Sequence, residues 1–232
     1  RTLGDDKPLI IGLLLSEGVV KFLSDIVSIA PEEREDNQYA NTWDVTLSDP
    51  ISPNIESLER FQPTYSSCGL CGTTSIKSLE LKQPPKIKER NHWLTKSLVF
   101  TLADTMKASQ SLFHKTGGSH ASACFNETGE LLTLKEDIGR HNAMDKLVGH
   151  LSQQALIPPK VESLILVLSG RISFELVQKA VMAGISVIIA IGSPSDLAIA
   201  TAKRFNLTLI GFVTPSSFNL YHGEWRIKQE IE

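Results

Sequence analysis

An α/β fold centred on a parallel sheet is predicted by three observations in the last third of the chain. Residues 163–168, 186–191 and 207–213 are short, nearly all-apolar runs rich in Val and Ile. Residues 174–182 and 197–204 separate them and carry helical spacing. Each run is followed by a corner rich in Gly, Ser and Pro: Ser169-Gly170-Arg171, Gly192-Ser193-Pro194-Ser195, and, after Phe212-Val213, Thr214-Pro215-Ser216-Ser217. Strands that alternate with helices pair in parallel and are covered on both faces, so their own sequence need not alternate.

The elements upstream follow in order. Residues 9–22 read as a helix, with Asp5 and Asp6 placed to favour its N-terminus. Residues 31–37 form a charged loop, and 39–47 alternate Tyr39, Asn41, Trp43, Val45 and Leu47 on one face of a strand. Residues 48–63 hold three prolines, and a polar segment, 64–67, follows. Gln83-Pro84-Pro85 and the basic 86–90 stretch form a second exposed connection. Residues 94–115 are helical by spacing and stop at Gly117-Gly118. Residues 121–126 and 131–134 flank Glu127-Thr128-Gly129-Glu130 as a hairpin. A further helix is expected over 140–153, opening at the Gly139-Arg140-His141 corner and followed by the break Ile157-Pro158-Pro159.

The bulk composition narrows the function classes. A chain of 232 residues can bury a substantial core. The net charge of −3, with lysines and arginines spread along the chain, argues against a nucleic-acid partner. No apolar run reaches the roughly 18 residues of a membrane span, and the first residues lack a basic-then-apolar leader pattern. The chain starts at Arg1 rather than Met, which leaves room for upstream sequence. Its 3 cysteines are too few for a secreted disulfide framework and suit a reducing cytoplasm.

Two of those cysteines stand in Ser67-Cys68-Gly69-Leu70-Cys71-Gly72. Thiols three positions apart between glycines can share a metal, form a disulfide or pass a sulfur atom. Zinc needs about four ligands, and His120, Cys124 or His141 would have to complete a set begun by Cys68 and Cys71. A zinc deaminase would also need His-x-Glu, which His120-Ala121-Ser122 and His141-Asn142-Ala143 lack. Thiol transfer fits better, because glycines give the loop freedom and Lys77, His120, Arg140 and His141 are candidate electropositive neighbours. Two buried, inert cysteines remain the structural alternative. Cys124, in Ala121-Ser122-Ala123-Cys124-Phe125, reads as a core thiol. His120 and His141 stand in polar, Gly-containing corners that favour function. Glu136, Asp137 and Arg140 read equally well as a local salt-bridge and helix-start group. In a parallel sheet the corners at 169–171, 192–195 and 212–217 share the carboxyl edge, where ligands bind. Two of them feed helix N-termini suited to phosphate, and Arg171 adds a fixed charge. There is no Gly-x-Gly-x-x-Gly and no P-loop.

These motifs, together with Thr116-Gly117-Gly118-Ser119-His120, the run from Glu136 to Lys146, Ser169-Gly170-Arg171-Ile172-Ser173-Phe174-Glu175, Ala183-Gly184-Ile185 and Phe218-Asn219-Leu220-Tyr221, resemble the formate dehydrogenase accessory sulfurtransferases, the FdhD family. The resemblance implies a cytoplasmic sulfur carrier that takes sulfur from a cysteine desulfurase as a persulfide. The sulfur then passes to the molybdenum (or tungsten) bis-molybdopterin guanine dinucleotide cofactor destined for formate dehydrogenase. It implies Cys68 as the persulfide-bearing residue and Cys71 as the assisting thiol. It implies a three-layer α/β/α sheet similar to cytidine deaminases in residues 93–232, after a smaller α+β portion, 1–92, that carries the cysteine loop. It also implies a homodimer with no permanently bound metal. Ser169, Gly170, Arg171, His120, Arg140, His141 and residues 212–217 are the expected cofactor contacts. Family members commonly carry a basic residue in the last corner; 212–217 has none. The competing readings are a non-catalytic chaperone for the same cofactor and a zinc-dependent deaminase.

Overall fold

The computed structural model describes residues 1–33, 41–48, 76–158 and 164–228. Six strands form the main sheet: β3 (His120–Phe125), β4 (Leu131–Asp137), β5 (Ile165–Leu168), β6 (Val187–Ala190), β7 (Thr208–Gly211) and β8 (Asn219–His222). Their order is β4-β3-β5-β6-β7-β8. β5, β6 and β7 are parallel, joined through α5 (Phe174–Met182) and α6 (Asp196–Arg204), as their apolar runs predict. The β3–β4 hairpin joins antiparallel on one side and β8 antiparallel on the other.

Every residue of β5, β6 and β7 is buried. Successive side chains nonetheless serve different layers, as a pleat of period two requires. Ala123, Phe125, Ile165, Val167, Val187, Ile189 and Ile210 pack with Val99, Leu102, Ala103 and Met106 of α2 (Lys96–Ser109). Cys124, Leu166, Leu168, Ile188, Ala190 and Leu209 pack instead with α4 (Arg140–Gln153), α5 and α6. The result is a mixed α/β sandwich with helices on both faces.

Outside α4 lies α1 (Asp6–Glu17). The two helices meet backbone to backbone. A Cβ on Gly12 would stand 1.9 Å from the Asp145 carbonyl oxygen, and one on Gly149 would stand 1.9 Å from that of Pro8. Beyond α1, Leu14 of the helix and Val19 and Val20 just after it support a hairpin of β1 (Ile26–Pro31) and β2 (Trp43–Leu47).

Several boundaries differ from the sequence expectation. The first helix covers Asp6–Glu17, not 9–22, because Gly18 adopts φ 69° and turns its N–H back to the Leu14 and Leu15 carbonyls. The expected 94–115 helix breaks at Gln110 into α2 and a short α3 (Ser111–Thr116), which ends at left-handed Gly117 as anticipated. β4 runs to Asp137 rather than 134. β1 was not legible, since its burial does not alternate. Residues 76–81 are helical as well.

Candidate functional site

β4, β5, β6 and β7 all end at one edge of the sheet, and antiparallel β3 and β8 begin there. This topology gathers residues from five stretches of sequence. Three glycines interlock the corners. Gly170 lies against the His120 ring, where a Cβ would come within 3.2 Å of Nδ1. Gly192 rests on the Gly170–Arg171 backbone, where a Cβ would meet the Arg171 nitrogen at 2.7 Å. Gly211 abuts the Gly192 carbonyl and the Pro194 ring, each 3.1 Å from its notional Cβ.

Backbone hydrogen bonds close the same seam. Gly192 N–H donates to the Gly170 carbonyl at 3.2 Å, and Phe212 N–H to that of Gly192 at 3.2 Å. Ile172 N–H donates to Ser193 and Ser195 N–H to Ile172, both at 2.9 Å. Ser169 fastens the corner to β3, its hydroxyl accepting from Ala121 N–H at 2.8 Å and its own N–H donating to the Ala121 carbonyl at 3.1 Å. The corners therefore form a rigid floor that spends several of the N–H groups the sequence offered to an anion.

Donors that remain belong to particular side chains. The Arg140 Nε and the Ser173 hydroxyl are buried and have no hydrogen-bond partner among the described residues. Arg171 is exposed. Ser173 is the N-cap of α5 yet makes no capping bond, whereas Ser195 caps α6 by accepting from Ala198 N–H at 3.2 Å. Of the three helix N-termini at this edge, those of α4 and α5 have no side-chain cap and keep their orphan N–H character. Ser173 escaped the sequence reading of the site because serine before a helix reads as an ordinary cap.

Beneath the floor the charges are paired. Asp137, opposite His120 across the hairpin, accepts from Thr2 N–H at 2.9 Å, Gly139 N–H at 2.9 Å and Asn142 Nδ2 at 3.2 Å, with Lys146 Nζ at 2.8 Å. Burial alone would raise its pKa, but the Lys146 ammonium and these N–H groups outweigh that and hold it below the usual carboxylate range. Glu136 accepts from Leu112 and Phe113 N–H at 2.7 and 2.8 Å and from the Ser119 hydroxyl at 2.8 Å, capping α3 from another strand. For Glu136 and Asp137 the structural reading therefore holds. Asp145 and Lys179 pair at 2.7 Å deep between α4 and α5, and Glu17 of α1 adds a second carboxylate 3.7 Å from Lys179.

A family model described as the FdhD/NarQ family matches residues 1–228. The chain belongs to this family. A relative named sulfur carrier protein FdhD from Streptomyces avermitilis is 43% identical, with 98% of this chain and 81% of that relative covered. A relative of the same name from Saccharolobus solfataricus is 40% identical over 98% of this chain and 81% of its own length. Among solved structures, one described as a formate dehydrogenase accessory protein from Desulfotalea psychrophila aligns with TM-score 0.68 and 23% identity, covering 96% of this chain and 80% of that one. It shares the fold.

The expected FdhD site residues divide into three groups. His120, Arg140, His141, Ser169, Gly170, Arg171 and 212–217 meet at the carboxyl edge. Within the last corner, Thr214 N–H donates to the Ser217 carbonyl at 2.9 Å, and the Thr214 hydroxyl accepts from Ser217 N–H at 3.0 Å. That turn is largely self-satisfied and leads into β8. Phe212, beside it, is exposed with φ 53°. Cys68 and Cys71 lie outside the described residues. Lys77 lies in helical residues 76–81, which dock at the opposite, amino edge, where Glu80 pairs with Arg204 at the end of α6; its expected nearness to the cysteines falls outside the described residues. Cys124 is fully buried, and desolvation pushes its thiol up to about 12, so it is the core thiol its sequence context predicts.

Proposed function

We propose that this FdhD/NarQ protein is a sulfur carrier whose cysteine pair serves a cofactor-binding carboxyl edge. Cys68 thiolate attacks the outer sulfur of a cysteine desulfurase persulfide, leaving the desulfurase as a thiolate and Cys68 as a persulfide. The acceptor is the molybdenum bis-molybdopterin guanine dinucleotide cofactor required by formate dehydrogenase. Cys71 thiolate attacks the inner sulfur of the Cys68 persulfide, expelling the outer sulfur as sulfide to the acceptor metal. The electrons come from the two cysteines, which become a disulfide and need a dithiol reductant to return. Arg140, Arg171 and the uncapped α5 N-terminus hold phosphate groups of the dinucleotide, and His120 and His141 line the approach.

The observation that carries this reading is the contrast at one edge between an interlocked backbone floor and unpartnered donors above it, in a chain whose relatives are named sulfur carriers. The test is intact-protein mass after incubation with a cysteine desulfurase and L-cysteine. Wild type should gain one sulfur that reductant removes, Cys68→Ala should not, and Cys71→Ala should still load. Cys124 is an internal control: with its thiol near 12 it should resist alkylation at pH 8 until the protein unfolds. No adduct on wild type, with an active desulfurase, would leave a cofactor-binding chaperone as the function.

A further inference from the structure

On the side of the molecule away from the carboxyl edge, the ends of α1, α4 and α5 and the turn after helical residues 76–81 enclose a cavity of about 510 Å³. That volume lies in the usual range for small-molecule sites. Its walls are apolar, including Leu15, Val20, Phe22, Val148 and Met182. The charged side chains lining it are Lys21 and Lys82, and no Asp or Glu lines it among the described residues. Nearby carboxylates are already engaged. Asp25 accepts from the Lys21 and Phe22 N–H groups, both at 2.9 Å. Glu17 lies 3.4 Å from Lys82 and 3.7 Å from Lys179.

Two more features mark a formed site rather than a packing defect. The fully buried Ser16 lines the cavity beside the Asp145 carboxylate. Two helix ends also reach the cavity in the left-handed conformation without using glycine, Ala155 at φ 55° and Gln83 at φ 52°. Glycine would adopt either turn without strain; at both positions a side chain lines the cavity instead.

We infer that this cavity binds a small amphipathic carboxylate. An apolar body of roughly ten to twenty non-hydrogen atoms fills the wall region. Its carboxylate faces Lys21 and Lys82 at the mouth. The site is separate from the carboxyl edge and does not depend on the sulfur-carrier reading.

Decanoate, decanol and decylamine share a hydrocarbon body and differ in head group, so they make suitable probes. Calorimetric titration of the full chain should show saturable one-to-one binding of decanoate, weaker binding of decanol and none of decylamine. Lys21→Glu, at an exposed position, should weaken decanoate about tenfold without affecting the fold. Met182→Trp should remove binding by filling the cavity, its folding checked by thermal melting without ligand. Arg171→Ala, at the other edge, should bind decanoate like wild type. The inference is overturned by absence of saturable decanoate binding, by equal binding of decylamine, by unchanged affinity in Lys21→Glu, or by loss in Arg171→Ala.

Discussion

The seam between α1, α4 and α5 and the carboxyl edge of the sheet are both rich in charge, and they treat it in opposite ways. In the seam each buried charge has a partner: Lys146 with Asp137, Lys179 with Asp145, and Glu17 with Lys82 and Lys179. At the edge the backbone is satisfied by neighbouring corners, while Arg140 Nε and Ser173 Oγ have no partner among the described residues. Pairing in a dry interior fixes helix positions. Unpaired donors over a rigid floor await something from outside. The difference separates residues that hold the fold from residues available to a ligand.

The largest expected effect breaks the paired side. Lys179→Met leaves Asp145 buried without a cation and Glu17 with Lys82 alone, and should cost about 3–5 kcal/mol, read as a lower urea midpoint. Gly149→Ala comes next. Its Cβ would stand 1.9 Å from the Pro8 carbonyl, so α1 must lift from α4. Overpacking of this kind should cost about 3 kcal/mol or more. Substitution of Gly117, whose notional Cβ meets nothing within 4 Å, involves only left-handed strain at φ 66° and should cost about 1 kcal/mol. If Gly149→Ala proved no worse than Gly117→Ala, the helix contact would not be the constraint described.

Acid sharpens the comparison. The folded pKa of Asp137 lies below its unfolded value of ~3.9, held there by Lys146 and by the Gly139 and Thr2 N–H groups against the effect of burial. Its contribution is therefore present above the unfolded pKa and lost as pH falls through the folded one. Stability of wild type should drop between pH 5 and pH 3 more steeply than that of Asp137→Asn, which starts lower at neutral pH. Parallel acid limbs in urea titrations would remove Asp137 as the source.

How far the sequence foretold these two regions follows from the physics of each. The parallel core was legible because strands buried on both faces must be continuously apolar, and 165–168, 187–190 and 208–211 are. The ends of α4 and α5 were legible because Gly139 and Ser173 interrupt the apolar spacing at the helix starts. The gathering of His120 with Ser169 and Gly170 could only be proposed, since it depends on β3 pairing antiparallel to β5, a long-range choice. The pairing of Lys146 and Lys179 was not read at all. Lysine on a helix ordinarily signals a solvated face, and only the arrival of α1 over α4 converts those positions to interior. The docking of residues 76–81 was not legible for the same reason: nothing local says on which edge they will sit.

The smallest stability effects should accompany the clearest loss of binding. Arg171→Ala removes an exposed side chain and should change stability by no more than about 0.5 kcal/mol. Ser173→Ala deletes a buried hydroxyl that has no partner among the described residues, so it should be neutral or slightly stabilising. With GDP as the probe of the carboxyl edge, Arg171→Ala should weaken binding about tenfold by loss of a charge-assisted contact to phosphate. Ser173→Ala should weaken it by about threefold, the effect of roughly 0.7 kcal/mol for one neutral hydrogen bond. The Arg171 effect should shrink as salt rises, and the Ser173 effect should persist. A residue that merely supported the fold would lose stability and binding together. Unchanged or higher stability with weaker GDP binding in Ser173→Ala is the outcome a structural role cannot produce, and unchanged GDP binding in both variants would empty the carboxyl edge of its assigned ligand.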